Sequence, residues 1–181
     1  AFGGNLKSIV CGGAPLSPQI IKDFYAFGIT VLEGYGITEC APLVAVNSPG
    51  KVKFHSVGQP VKGCRVRIDK QDESDETGEI CVSGDNVMMG YFKDPEATKE
   101  AFTEDGWFRT GDIGYIDNEG YIFITGRKKN VIILSNGKNV FPEELEEHIA
   151  PIPEILEAVV TVRETNGEPV LTAICVPNPD L

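Results

Sequence analysis

Residues 107–137 constrain the fold of this chain more than any other segment, because they predict two strands around a turn. Hydrophobic and polar residues alternate over 113–116 and again over 121–125, on either side of a loop that contains Asn and Gly. This pattern is typical of a β-hairpin. Asp112 stands just before the first strand and Arg127 just after the second, so an antiparallel hairpin would make them neighbours.

The two ends of this hairpin carry side chains suited to binding a polar ligand. The Asp112 carboxylate can accept two hydroxyl hydrogen bonds, and the Arg127 guanidinium can hold a phosphate or a carboxylate. A surface hairpin with an ion pair across its base uses the same residues. From the hairpin alone, the surface ion pair is the better hypothesis.

Three spaced motifs shift that balance. The chain contains Gly-Trp-Phe-Arg-Thr-Gly-Asp ending at Asp112, Thr-Gly-Arg-Lys-Lys-Asn ending at Asn130, and Pro-Glu-Glu-Leu-Glu starting at Pro142. Together they resemble the adenylate-forming superfamily, the AMP-forming acyl-CoA synthetases and their relatives. Ser-Asn-Gly-Lys-Asn-Val at 135–140 is most similar to the bacterial long-chain fatty acid–CoA ligases.

The start of the chain predicts a β-loop-α-β unit of an open α/β sheet. Apolar residues at 6–10 and 29–32 favour strands, and between them Ser17 caps a helix that Pro18 begins and Gly28 ends. Such a unit is parallel and right-handed, and ligands of these sheets lie beyond the carboxyl ends of the strands. Both strands are followed by glycine-rich loops, at 12–15 and 33–39.

The second glycine-rich loop carries Tyr35, Thr38 and Glu39. Its glycines let the backbone approach a planar group, the Tyr35 ring offers a stacking face, and the Glu39 carboxylate is a hard ligand suited to magnesium. A lone Gly-Tyr-Gly is more often a simple turn. Tyr-Gly-x-Thr-Glu after a Gly-Gly-Ala-Pro loop, however, also matches the superfamily.

The resemblance implies a site for ATP and Mg²⁺, with a carboxylic acid and CoA as the other substrates. Tyr35 would stack on the adenine, Thr38 would contact the α-phosphate, and Glu39 would hold the metal. Asp112 would take the ribose hydroxyls, and Arg127 would reach the ribose or a phosphate. Thr38, Glu39 and Arg127 would then be the catalytic residues. The other nucleotide-binding residues would be Gly13, Ala14, Pro15, Glu33, Gly34 and Gly36.

The middle of the chain predicts strands and one short helix. Residues 40–46 are small and apolar, which favours core packing, with one wall of an acyl pocket as the alternative. Residues 51–83 are strand-like around a polar loop at 70–77. Asp94 and the Pro-Glu-Ala-Thr that follows predict a capped helix start. Tyr91 and this tetrapeptide also belong to the family pattern.

Beyond Arg127 the pattern becomes α+β. Residues 131–134 predict a strand, Pro142 begins a helix, and 157–163 with 170–176 predict a second hairpin. The resemblance implies a mobile C-terminal domain whose hinge is Lys129, although a lysine run at a solvated bend would look the same. It also places Ser135 and Gly137 near the path of the CoA pantetheine.

The predicted fold class is therefore α/β and α+β, in three parts. Residues 1–48 would be the end of the open α/β sheet, in the large nucleotide-binding subdomain. Residues 49–126 would form the small β-barrel subdomain of the superfamily. Residues 127–181 would begin the small α+β C-terminal domain, with the hinge within 127–130.

Composition excludes several classes of protein. The net charge of −11 disfavours a nucleic-acid surface, and no apolar run reaches the length of a membrane span. Five separated cysteines without a Cys-x-x-Cys favour a reducing cytoplasm over disulfides or a zinc site. Peripheral membrane contact of the parent protein and its oligomeric state stay open.

We expect this chain to be a fragment of an ATP-dependent acyl-CoA ligase that acts on a fatty acid or another small carboxylic acid. It begins at Ala1 without methionine, and it lacks the superfamily's phosphate loop and C-terminal catalytic lysine. The isolated chain should therefore be inactive. One alternative is an adenylation domain that loads an amino acid or aryl acid on a carrier protein. The other is a non-catalytic nucleotide-binding protein.

Overall fold

The computed structural model describes residues 3–134, 138–165 and 168–179 of the chain. The fold is mixed α/β, with several sheets and few helices. It divides into two compact units, Ala1–Ile124 and Thr125–Leu181. The three-part division with boundaries after residues 48 and 126 stays a prediction.

The first sheet of the first unit is the predicted β-loop-α-β unit with two added strands. Its order is β1-β2-β3-β4, and β1 pairs with β2 in parallel while the other pairs are antiparallel. The helix α1 joins β1 to β2. The bounds are β1 Ser8–Gly12, α1 Pro18–Ala26, β2 Thr30–Gly36, β3 Leu43–Val46 and β4 Gln59–Pro60.

Two local expectations differ from this structure. Strand β2 continues to Gly36, although 33–36 was predicted as loop, because its last residues pair with β3, Tyr35 opposite Ala45. Ser17 stands at the N-cap of α1, but its side chain makes no capping hydrogen bond. Pro18, whose ring fixes φ, begins the helix as predicted.

The second sheet carries the hairpin with which the sequence analysis began. Its order is β5-β6-β7-β8, and the bounds are β5 Cys64–Asp69, β6 Gly78–Gly84, β7 Phe108–Ile116 and β8 Ile122–Arg127. The helix α2, Pro95–Ala101, precedes β7, and its Asp94 cap accepts a hydrogen bond from Ala97 N at 2.9 Å as predicted. Within the described residues this sheet is open, which corrects the expectation of a barrel.

The predicted hairpin is confirmed, but its strands are longer than expected. Asp112 lies inside β7 and Arg127 is the last residue of β8, so neither stands outside the strands. Backbone hydrogen bonds from Val57 N to Ile122 O and from Ile122 N to Gly58 O, both 2.9 Å, join the two sheets. One apolar core of the first unit gathers residues from both, among them Tyr35, Cys40, Val44, Ile80, Phe108 and Ile122.

The second unit is α+β, as predicted. Strands β9 (Ile132–Ile133) and β10 (Asn139–Val140) pair, and so do the longer β11 (Ile155–Thr165) and β12 (Glu168–Pro177), both pairs antiparallel. The helix α3, Pro142–Ile149, packs on β11, where Glu146 accepts a hydrogen bond from Val160 N at 2.7 Å. None of the helices in the described ranges combines the length and apolar character that a membrane crossing requires.

Candidate functional site

The glycine-rich loops meet at one edge of the first sheet. Gly12 is the register partner of Gly34, and a side chain on Gly12 would place its Cβ 2.7 Å from the Gly34 carbonyl oxygen. A Cβ on Gly36 would overlap the carbonyl oxygen of Pro42. At both positions the protein's own backbone fills the space that a Cβ would need, so only glycine fits. Next to Gly12, Gly13 has φ +90°, which favours glycine.

Tyr35 and Asp112 form a buried pair beside this edge. The Tyr35 hydroxyl donates to Asp112 Oδ2 at 2.5 Å, and the two residues are 7% and 3% exposed. Burial, and then the nearby Asp112 charge, raises the pKa of Tyr35 well above its ordinary value. Tyr35 was predicted to stack on adenine and Asp112 to meet Arg127. Both of those roles stay predictions, and the contact between Tyr35 and Asp112 was missed.

A bulge in β7 sets the position of Asp112. Along β6 the partners of Glu79 and Cys81 are Ile113 and Arg109, so β7 carries extra residues between them. Gly111 has φ +73° there. The Thr110 hydroxyl donates to Ile80 O at 2.8 Å and accepts from Asp112 N at 3.0 Å. Such bulges re-aim a side chain, and here the Thr-Gly-Asp sequence was the signal for one.

Thr38 and Glu39 lie just beyond β2, in a short 3-10 helix at Thr38–Cys40. Thr38 is exposed and Glu39 is half-buried. The Glu39 Oε1 atom accepts a hydrogen bond from the Tyr91 hydroxyl at 3.1 Å, and its carbonyl oxygen accepts one from Met88 N at 2.7 Å. In the described part of the chain Glu39 has no salt bridge to a basic residue.

These surroundings fit the predicted magnesium role. Mg²⁺ in phosphate-transfer sites is held by one or two carboxylates together with substrate phosphates, not by a cage of protein ligands. Glu39 offers one such carboxylate, and among the described residues no group of three or more His, Cys, Asp or Glu side chains is arranged so that it could hold a metal ion by itself. Burial raises the pKa of the neighbouring Cys40 thiol to about 12, which disfavours the nucleophilic thiolate form.

The remaining predicted residues belong to the second unit. Arg127 ends β8, and Lys129 lies in a 3-10 helix at Lys128–Asn130. Asn130 Nδ2 donates to Glu143 Oε1 at 2.6 Å, which ties this short helix to the start of α3. Ser135 and Gly137, the predicted CoA-path residues, lie outside the described residues.

The adenine-edge residues divide between strand and loop. Ala14 and Pro15 follow β1 and Gly13, while Glu33 and Gly34 lie within β2. The structure therefore brings the predicted residues of the first unit to the ends of two adjacent strands and to the bulge of β7. All five cysteines are described, and none is in a disulfide.

Comparison with known proteins identifies the family that shares these features. The family described as AMP-binding enzyme matches residues 1–92. The long-chain-fatty-acid–CoA ligase FadD15 of Mycobacterium bovis is 43% identical over 160 residues, which are 88% of this chain and 26% of that protein. The indoleacetate–CoA ligase of Aromatoleum aromaticum is 39% identical over 96% of this chain and 35% of its own length.

Solved structures give the same result. The o-succinylbenzoate CoA synthetase MenE of Bacillus subtilis, in complex with the acyl-adenylate intermediate OSB-AMP, superposes with a TM-score of 0.86 at 33% identity, over 95% of this chain and 36% of that one. ATP-bound MatB of Rhodopseudomonas palustris superposes with a TM-score of 0.81 at 35% identity, over 93% and 35%. This chain spans about a quarter to a third of the length of these proteins, and it belongs to the AMP-binding enzyme family.

Proposed function

We propose that the parent protein is an ATP-dependent, AMP-forming acyl-CoA ligase. The observation that carries the proposal is the gathering of the glycine-rich strand ends, the Tyr35–Asp112 pair and the Glu39 carboxylate around the end of β2. A carboxylate that can accept hydroxyl hydrogen bonds and a carboxylate that can hold a metal ion are what binding of a magnesium nucleotide needs. The relatives named as CoA ligases support the same activity.

The proposed reaction has two steps. A carboxylate oxygen of the acid attacks the α-phosphorus of ATP, and pyrophosphate leaves with the electrons of the broken P–O bond. The CoA thiolate then attacks the acyl carbonyl, and AMP leaves. Thr38 and Arg127 would hold phosphate oxygens, and Asp112 would accept the ribose hydroxyls. Glu39 would hold Mg²⁺, which offsets the phosphate charge when bound.

The substrate we favour is a long-chain fatty acid. Support comes from relatives named long-chain-fatty-acid–CoA ligase in Mycobacterium bovis and Escherichia coli. Relatives named for sulfoacetate and indoleacetate show how widely similar sequences range. A panel of long-chain, aromatic and sulfonated acids, assayed with the full-length protein for ATP- and CoA-dependent thioester formation, tests this. Preference for a short or aromatic acid would refute the fatty-acid assignment but leave the ligase proposal intact.

Two alternatives make different predictions in the same assay. An adenylation domain would form the acyl-adenylate but would pass it to a carrier-protein thiol in preference to CoA. A non-catalytic nucleotide-binding protein would bind ATP and show no acid-dependent pyrophosphate exchange. We also propose that the parent works in the cytoplasm with ATP, CoA and a small acid as its partners. The isolated 181-residue chain should give no carboxylate-dependent pyrophosphate release.

We further propose that Lys129 is the hinge between two functional arrangements. Attack on a phosphate and attack on a carbonyl need different residues, and a few backbone torsions at an element boundary can absorb the change. The Asn130–Glu143 hydrogen bond supports this location, because it fixes the chain to α3 immediately after Lys129.

Lys129→Pro in the full-length protein tests the hinge, because proline fixes φ near −65° and removes an N–H. One half-reaction should be lost much more than the other, when pyrophosphate exchange and thioester formation are measured on one preparation. Lys129→Ala is the matched control, because it removes the lysine side chain but leaves φ and the N–H of residue 129 free. Equal losses in both half-reactions, or none, would reduce Lys129 to a solvated bend.

A further inference from the structure

A segment far along the chain is fastened to the 3-10 helix that carries Glu39. Asn86 Nδ2 donates to Leu43 O at 3.0 Å and to Cys40 O at 3.3 Å. Met88 N donates to Glu39 O at 2.7 Å, and the Tyr91 hydroxyl donates to Glu39 Oε1 at 3.1 Å. The backbone of Glu39 and its carboxylate are thus both held by the same short stretch.

Tyr91 is itself held by the start of α2. Its backbone N–H donates to Thr98 Oγ1 at 2.9 Å, and the Thr98 hydroxyl donates to Asp94 O at 2.7 Å. A Cβ on Gly90 would lie 2.7 Å from Thr98 Cγ2, so the chain before Tyr91 also packs closely on Thr98. The Pro-Glu-Ala-Thr sequence, which has no part in the nucleotide site, therefore ends in the side chain that anchors Tyr91.

We propose that Tyr91 is a positioning residue for the Glu39 carboxylate, and that Thr98 positions Tyr91 in turn. This inference rests on the proposed magnesium role of Glu39. A glutamate side chain has several rotatable bonds, and a donor on Oε1 restricts them while Oε2 stays available to a cation. Outer partners of this kind orient metal ligands and typically change metal affinity 10–100-fold when removed.

The kind of donor matters as much as its place. A lysine or arginine on Oε1 would neutralise the carboxylate and compete with a metal cation for it. A tyrosine hydroxyl is neutral, so it orients the carboxylate and leaves its full negative charge for the metal. In the described residues, the structure shows a side-chain hydrogen bond to the Glu39 carboxylate from Tyr91.

The test is Tyr91→Phe in the full-length protein, with metal binding as its main measurement. Mn²⁺ replaces Mg²⁺, and its binding is followed by electron paramagnetic resonance. The measurement is made with an ATP analogue in which the bond between the α- and β-phosphates cannot be cleaved. We expect about tenfold weaker Mn²⁺ binding, the lower end of the range for outer partners, because Tyr91 is partly exposed. Saturating Mg²⁺ should restore kcat in the variant, whereas a damaged fold would not recover.

The matched control is Tyr115→Phe. Tyr115 is 37% exposed and Tyr91 is 40% exposed, and Tyr115 stacks on Phe123 with ring centroids 4.8 Å apart. It takes no part in the contacts of Glu39, so its variant should bind Mn²⁺ like the parent. Equal weakening in both tyrosine variants would overturn the proposal.

Thr98 separates positioning from a general structural effect. Thr98→Ser keeps the hydroxyl that holds Tyr91 N and should keep metal affinity near that of the parent. Thr98→Val keeps the shape, removes the hydroxyl, and should weaken Mn²⁺ binding by a smaller factor than Tyr91→Phe. Failure of Thr98→Ser to retain affinity, when its melting temperature is unchanged, would contradict the second part of the proposal.

A double-mutant cycle with Glu39→Gln distinguishes failure of this inference from failure of the proposed function. We expect Glu39→Gln to weaken Mn²⁺ binding strongly, and Tyr91→Phe to add little on that background. If Glu39→Gln leaves Mn²⁺ binding unchanged, the metal role of Glu39 is wrong and the inference falls with it. If Glu39→Gln weakens binding but Tyr91→Phe does not, only the positioning role is overturned.

Discussion

Two tyrosine–carboxylate pairs of the first unit use the same hydrogen bond in opposite surroundings. Tyr35 and Asp112 are both almost fully buried, with the hydroxyl 2.5 Å from the carboxylate. Tyr91 is exposed and Glu39 is half-buried, with a 3.1 Å hydrogen bond between them. A buried carboxylate without a donor is costly, whereas water replaces the donor at the surface. The buried pair therefore contributes to folding, and the exposed pair is free to serve a ligand.

The largest expected effect is a loss of ATP affinity, which tests whether the buried pair also binds nucleotide. If Asp112 accepts the ribose hydroxyls, Asp112→Ala should weaken ATP binding by on the order of 1.5–3 kcal/mol, the range for a hydrogen bond to a charged acceptor. Nucleotide titration beside a melting curve of the full-length variant measures both properties. A lower melting temperature with unchanged ATP affinity would limit Asp112 to the fold and sharpen the contrast with Glu39.

The second effect compares the stability that each pair contributes. Asp112→Ala leaves the buried Tyr35 hydroxyl without its acceptor, which should cost about 1–3 kcal/mol in the free energy of unfolding. Glu39→Ala should lower it by less, because water can replace the carboxylate at the exposed Tyr91 hydroxyl. Urea unfolding of the two variants checks the difference. Equal losses would mean that burial does not separate the pairs.

The third effect is a pH dependence of stability that comes from the buried pair. The pKa of Tyr35 is raised in the folded protein. The protonated Tyr35 hydroxyl therefore contributes fully to the free energy of unfolding below the unfolded-state pKa near 10, and this contribution is lost as pH rises toward the folded-state pKa. Stability should therefore fall above about pH 10, by up to about 1.4 kcal/mol per pH unit for this one group. Tyr35→Phe should remove this component, as alkaline unfolding curves would show. An unchanged alkaline slope would contradict the assignment.

The smallest effect concerns a surface cluster that contrasts with both pairs. Lys53 Nζ lies 2.5 Å from Asp117 Oδ2 and also contacts Glu119, at the turn between β7 and β8. Hydrogen bonding from Lys53 lowers the pKa of Asp117 in the folded protein. The contribution of this ion pair to the free energy of unfolding is therefore present above about pH 4, and it is lost as pH falls through the folded-state pKa of Asp117. Lys53→Met should flatten the acid limb of the stability curve slightly, since exposed pairs contribute little. A large change would be unexpected.

Local signals were enough to predict several elements. Asp94 followed by Pro95 begins α2 as expected, and the polar loop at 70–77 separates β5 from β6. Strand β2 was predicted too short. Its last residues adopt the strand conformation because they pair with β3, and local sequence does not indicate which segments pair. Short-range chemistry therefore located starts and turns better than strand ends.

The site was predictable in its members but not in its contacts. The Tyr-Gly-x-Thr-Glu and Thr-Gly-Asp motifs predicted Tyr35, Glu39 and Asp112, whose functional roles stay predictions. The hairpin suggested Arg127 as the neighbour of Asp112. The bulge at Gly111 brings Asp112 to Tyr35, a contact across a long separation in sequence that was not predicted, while the proximity to Arg127 stays a prediction. Tyr91 belonged to the family pattern, yet only the folded chain shows what its hydroxyl contacts.

The hydrogen bonds that join the two sheets bear on the order in which the chain acquires structure. Each sheet is built from strands close together in sequence, whereas the joint unites Gly58 with the distant Ile122. Local pairings close small loops and form early, and contacts between distant residues limit the rate. Gly58 has φ +89°, and a Cβ there would overlap the Val46 backbone, so the joint requires glycine at this position. We expect the sheets to nucleate separately and this joint to set the speed of folding of the first unit.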